Sequence, residues 1–202
     1  RTAAPPPDLA PVASTPAAAV QRLAWAFDHR DVAVVAGLLS ADAKFMGVEA
    51  DSAGNGSQTM EWSREELLLA LRSMFEGVPG VSEPASIKLT FDRNLIPFPD
   101  PRPGHDARVH RTMRSSLDLV VDDPTLQSTF EGSGYALFYV PRGDSTAIPA
   151  EEVARGLAPD STRWWIDRWE EETVGSGAAH ANPANKWSLF DLLRFYRDRV
   201  VR

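Results

Sequence analysis

The segment from Thr15 to Phe45, TPAAAVQRLAWAFDHRDVAVVAGLLSADAKF, constrains this chain most. Thr15 suits a helix cap and Pro16 suits the first turn. Val20, Leu23, Ala24 and Phe27 recur at helical spacing, so one face is apolar. His29-Arg30-Asp31 breaks the pattern, and Asp31 can cap a second, short helix carrying Val34, Val35, Leu38 and Leu39. Ser40-Ala41-Asp42 ends that helix, and Ala43 to Val48 reads as a strand. Two helices joined by a minimal break and feeding directly into a strand leave few ways to build a core. The strand must pack on the helices just formed.

Further along, Ala50 to Thr59 is polar and glycine-rich, and reads as a loop. Ser63-Arg64-Glu65-Glu66 is a capping box opening a third helix, with Leu67, Leu68, Leu71, Met74 and Phe75 on one side. Four strands are expected after it. Residues 86–94 alternate Ile87, Leu89 and Phe91 with polar residues. Residues 97–104 (PFPDPRPG) form a proline-rich loop that no central strand could contain. Residues 107–121 alternate Val109, Met113, Leu117, Leu119 and Val121. Residues 129–140 and 162–173 supply the last two strands, separated by a long insertion with a short helix near 151–157. The order α-α-β-α-β-β-β-β gives an α+β fold: a curved, cone-shaped antiparallel sheet wrapped on its N-terminal helices. Leu189, Leu192, Leu193, Tyr196 and Val200 then mark one more amphipathic helix, added at the C-terminus. The expected organisation is a Pro/Ala-rich tether over 1–14, the α+β domain over 15–173, a small-residue linker over 174–187 and the terminal helix over 188–202.

Composition excludes several classes. The chain has 202 residues, 43% of them hydrophobic, which is enough for one domain with extensions. A net charge of -7 argues against a nucleic-acid surface. With no cysteine there are no disulfides, thiolate metal sites or cysteine nucleophiles. No apolar run is long enough to span a bilayer. The Pro/Ala-rich arm before Pro16 reads as a tether, and the domain is expected to be exported, periplasmic or lipid-anchored.

The run VQRLAWAFDHRDVAVVAGLLSADAKFMG, with the closing strand bearing Trp164, Trp165 and Trp169, resembles the nuclear-transport-factor-2-like superfamily, which includes SnoaL-like cyclases and ketosteroid isomerases. The resemblance runs from about Thr15 to Thr173. It implies a cone-shaped sheet, a ligand cavity between sheet and helices, and a homodimer through the sheet. Ketosteroid isomerases use an aspartate base and a tyrosine in the oxyanion site. An ungapped match places that tyrosine at Leu23 and the aspartate at Gly47. Leucine donates no hydrogen bond and glycine is no base, so isomerase chemistry is not expected here.

Trp165, Asp167 and Trp169 alternate along the last strand, which would put all three on one face. A carboxylate among indoles would titrate high if buried; an exposed one would pair with arginine. Tyr135 and His110, from neighbouring strands, complete the candidate lining of a pocket for a small apolar ligand. Two readings follow. In one the domain is a non-catalytic module that binds such a ligand or dimerises. In the other it is a SnoaL-like enzyme using Asp167 with His110 or Tyr135. The four histidines match no metal-site spacing, and no phosphate loop or dinucleotide fingerprint occurs, so neither metal nor cofactor is expected.

Overall fold

The computed structural model describes residues 9–50, 57–79, 82–124, 127–143, 147–156, 160–172 and 188–199. The expected tether therefore lies largely outside the described residues, as does all of the linker over 174–187 with Trp187 and His180.

Helix α1 (Pro16–Asp28) is capped by Thr15, whose side chain accepts from the Ala18 N–H. Helix α2 (Val32–Ala36) is capped by Asp31, which accepts from Val34 N–H. The joint between them is tightened by the Asp31 N–H, which donates to Ala26 C=O at 2.8 Å. The second helix is shorter than its apolar spacing suggests. It stops at Ala36, and strand β1 (Leu39–Ala50) starts four residues before the expected Ala43. Leu38 and Leu39 are buried all the same, as strand-entry residues: Leu39 pairs with Ile166.

Strand β2 (Ser57–Ser63) was not expected, since its start lies in the polar glycine-rich stretch. It pairs antiparallel with β1, setting Trp62 opposite Phe45. Helix α3 (Arg64–Glu76) follows at once, with the complete Ser63–Glu66 capping box. Strands β3 (Ser86–Phe91), β4 (Phe98–Pro99), β5 (His110–Asp123), β6 (Ser128–Pro141) and β7 (Ile166–Glu172) complete the sheet. The sheet order is β2-β1-β7-β6-β5-β3, with two-residue β4 paired to β5. All neighbours are antiparallel except β1 and β7. The short β4 agrees with proline confined to sheet margins. The insertion holds α4 (Ala150–Ala154), and α5 (Leu189–Arg197) closes the described chain.

The fold class is thus the expected one: a curved, unclosed sheet with helices α1 and α3 against one face. Met113, Leu117, Leu119 and Val121 of β5 face inward, with Ala136, Phe138 and Val140 of β6. The inner face is dense with rings. Trp169 packs on Phe45 (centroids 4.8 Å), Phe138 (5.5 Å) and Phe27 (6.3 Å).

Helix α5 docks on its own domain, and its apolar residues join the same buried core as the inner face of the sheet. Leu189, Phe190, Leu192, Leu193 and Tyr196 are all buried. The Phe190 ring lies 4.5 Å from Trp62 and 5.7 Å from Phe45. Buried carboxylates fasten the helix near both ends. Glu171, at the end of β7, accepts from the Leu189 and Phe190 N–H groups at 2.8 and 2.7 Å. Tyr196 donates to Asp123 at 2.9 Å, at the end of β5. Burial pushes the Glu171 carboxyl up to about 7 against those two donors, and nearby Asp191 adds to the rise.

Candidate functional site

Trp165, Asp167 and Trp169 were expected on one face of the last strand, and the structure separates them, with Trp165 just ahead of β7. Tyr139 pairs with Arg168, and Arg142 bridges Trp164. Three steps along β6 therefore oppose four steps back along β7 and its lead-in, which is a β-bulge. Ile166 and Trp169 both enter the inner core as a result. Trp169 cannot line a pocket there, because it is fully buried among phenyl rings. Trp165 is also buried, but elsewhere. It lies under the Arg163 guanidinium, 4.4 Å from its ring centre, and against Gly143. A Cβ on Gly143 would come 3.0 Å from Trp165 Cδ1 and closer still to Nε1, so glycine is what lets this backbone pass. Asp167 is turned to the outer face.

A second irregularity lies alongside. Between its pairings Leu39–Ile166 and Lys44–Arg168, β1 advances five residues while β7 advances two. The slack bows Ser40, Ala41 and Asp42 outward. These residues, with Asp167, His105, Val109, His110, Pro141, Arg142, Gly143, Ala147 and Ser161, surround a cleft of about 560 Å³. Two irregular neighbouring strands thus make a concavity where regular pairing would give a smooth sheet.

Asp167 is one-third exposed and paired. It accepts from the Ser40 hydroxyl at 3.1 Å, and Arg102 reaches its other oxygen at 3.5 Å. Arg102 is held by Asp100, whose side chain is 1% exposed. The Asp100 oxygens accept from Arg102 Nε at 3.1 and 3.0 Å and from Nη2 at 2.7 Å. Burial opposes the Asp100 charge, but the Arg102 side-chain and backbone hydrogen bonds outweigh it and hold Asp100 below the ordinary carboxylate range. Arg102 also lies 4.3 Å over the Tyr139 ring.

His110 lines the same cleft and forms an edge-to-face pair with His105, centroids 4.7 Å apart. Tyr135 does not join them. It sits on the outer sheet face under Arg114, 3.8 Å from its ring centre. Of the five candidates, Asp167 and His110 meet at one cleft, Trp165 lies behind its wall, and Trp169 and Tyr135 are elsewhere. Asp100, Arg102, Ser40 and His105 were missed. For Asp100 and Arg102 the sequence signal was the proline-rich PFPDPRPG loop, in which they are spaced for an Asx-type turn; for His105 it was its closeness in sequence to His110. Among the described residues no group of three or more histidine and acidic side chains is placed to hold a metal ion.

At the positions matched to isomerase chemistry, Leu23 is fully buried in α1 and Gly47 lies beneath Phe190. Neither presents a polar group to the inner face.

No known family profile matches the chain, and no curated protein matches its sequence. Solved structures do match. A protein of unknown function from Mycobacterium tuberculosis is 15% identical, with 91% of this chain and 92% of that one covered and a TM-score of 0.54. A Kribbella flavida protein is 10% identical, covering 87% and 92%, with a TM-score of 0.51. A nuclear-transport-factor-2-like superfamily protein from Salmonella enterica is 10% identical, covering 81% and 92%, with a TM-score of 0.48. At these identities the likeness concerns the fold alone, and the first two structures, with TM-scores above 0.5, share the arrangement of sheet and helices described above.

Proposed function

We propose that this protein is a non-catalytic binding or assembly module whose cone is occupied by its own C-terminal helix. The observation that carries this is Phe190 of α5, packed over Gly47 where the isomerases keep their base. Proton abstraction needs a positioned base in a cavity that admits substrate. Here the position has no side chain and the space holds a phenyl ring. A small apolar ligand can enter the cone only by displacing α5.

The pairing of Asp167 speaks the same way. A general acid is kept ready by burial or a like charge, whereas Asp167 is exposed in part and already accepts from Ser40 and Arg102. The enzyme reading keeps one point in its favour: the cleft gathers Asp167 with two imidazoles.

The sheet face opposite the helices is the surface on which we place a homodimer. It carries Tyr135 and Tyr139 under arginine side chains, with half-buried Leu137 between them. Such planar, pre-organised groups suit association. Among the described residues no helix is long and apolar enough to cross a membrane. On our reading the Pro/Ala-rich arm tethers an exported domain, which fractionation of the source cell would test.

Native mass spectrometry of the full chain tests the functional reading. The expected species is a dimer without an apolar small molecule. One equivalent of co-purified apolar ligand per chain would overturn it.

A further inference from the structure

The outer cleft has a donor–acceptor character that its residues fix. His105 Nδ1 lies 3.2 Å from the Pro103 carbonyl oxygen, and His110 Nδ1 lies 3.2 Å from that of Asp106. A carbonyl oxygen only accepts, so each Nδ1 carries the proton and donates. In the neutral ring this leaves Nε2 as a lone-pair acceptor. Asp167 has further lone-pair sites beyond those used by Ser40 and Arg102. Asp42 stands exposed on the bowed segment of β1. Four groups around one cavity therefore offer acceptors.

One cation near the cleft is already engaged. Arg102 is held by Asp100 and leans on Asp167. Arg142 lines the cleft and is exposed. An incoming anion would face two carboxylates, Asp42 and Asp167, against the single guanidinium of Arg142 in the lining named above. An ammonium or amidinium group would meet carboxylates and imidazole lone pairs, inside a chain of net charge -7. The walls contributed by Val109, Pro141 and Ala147 are apolar and suit a short carbon chain.

We propose that this cleft binds a small organic cation, an amine or amidine on a short aliphatic stem. The ammonium docks at Asp167, beside Ser40, and the stem lies along Val109 and Pro141 toward the imidazole pair. The site is on the opposite face of the sheet from the cone and does not depend on whether α5 stays docked.

Putrescine is the probe, titrated into the full chain and followed by backbone-amide NMR. The expected result is saturable shifts confined to Ala41, His105, His110 and Asp167 and their neighbours, with glycerol and acetate giving none. Asp167→Asn, which keeps the shape and the Ser40 contact, is expected to weaken binding at least about tenfold, the value of one charge-assisted hydrogen bond. Asp42→Asn, on the exposed rim, is expected to weaken it less while leaving the fold unchanged. Three results would overturn the proposal. One is no saturable shift up to about 10 mM putrescine. Another is equal binding by wild type and both variants. The third is saturable binding of glycerol or acetate without putrescine, which would make the cleft a polyol or anion site.

Discussion

Phe190 lies where a side chain on Gly47 would have to go: a Cβ built there comes 2.5 Å from the Phe190 Cβ and closer still to its ring. The two residues are far apart in sequence, one in β1 and the other in the terminal helix. Glycine at 47 is thus the counterpart of phenylalanine at 190. The position that the sequence resemblance matches to a catalytic carboxylate has no side chain here, and a phenyl ring stands over it.

Substituting Gly47→Ala should therefore force Phe190 or the strand to shift. Overpacking of this kind costs about 1–3 kcal/mol. Urea unfolding would measure it. The double variant Gly47→Ala with Phe190→Ala should be close to Phe190→Ala alone, because the clash then has no partner. Simple additivity would show that the two residues do not meet.

The Glu171 carboxyl makes docking of α5 sensitive to pH. Its docked pKa, near 7, is above the ordinary value of 4.5. The docked state therefore holds a proton that the undocked state gives up. Docking is strongest below about pH 4.5 and weakens as pH rises through 7, by up to about 3 kcal/mol. Amide exchange in Leu192 and Leu193 should accelerate over that window. Glu171→Gln cannot ionise and should remove the pH dependence, while costing about 1 kcal/mol for the acceptor lost at the helix start.

Tyr196 donates into a buried carboxylate, Asp123, which is 1% exposed. Burial and that carboxylate both raise the phenol pKa, so it remains a donor throughout the neutral range. Tyr196→Phe keeps the ring and loses the bond. The expected cost is about 1–3 kcal/mol by urea unfolding, with α5 exchanging faster than β5.

Arg102→Ala should affect stability and the cleft together. Asp100 titrates low because Arg102 binds it, so this contribution is present above the unfolded value near 3.8 and is lost as pH falls below it. The variant should be weaker by about 2 kcal/mol at pH 7, and the gap should narrow toward pH 3. A constant gap at all pH values would show that packing, not charge, accounts for the loss.

The fold was legible because its signals are local. The Thr15 and Asp31 caps, the Ser63–Glu66 capping box and the alternation in β5 and β6 all depend on neighbours in sequence. Strand β2 was hidden because its support comes from β1 across the pairing Phe45–Trp62. The site was less legible. Strict alternation put Trp165, Asp167 and Trp169 on one face. A bulge moves side chains between faces, and it depends on the register of the neighbouring strands rather than on the bulged residues. The apolar stripe of α5 was visible, but its seat over Gly47 joins two segments more than a hundred residues apart and has no local trace.

The most direct test of the occupied cone is binding of the apolar dye anilinonaphthalene sulfonate to the full chain and to Phe190→Ala, with circular dichroism confirming that both are folded. Removing the phenyl ring leaves an apolar cavity at the cost of about 3–5 kcal/mol. The expected result is no saturable dye binding by the native chain and about one equivalent bound by the variant. Saturable binding of one equivalent by the folded native chain would contradict an occupied cone and return the inner face to the ligand-carrier reading.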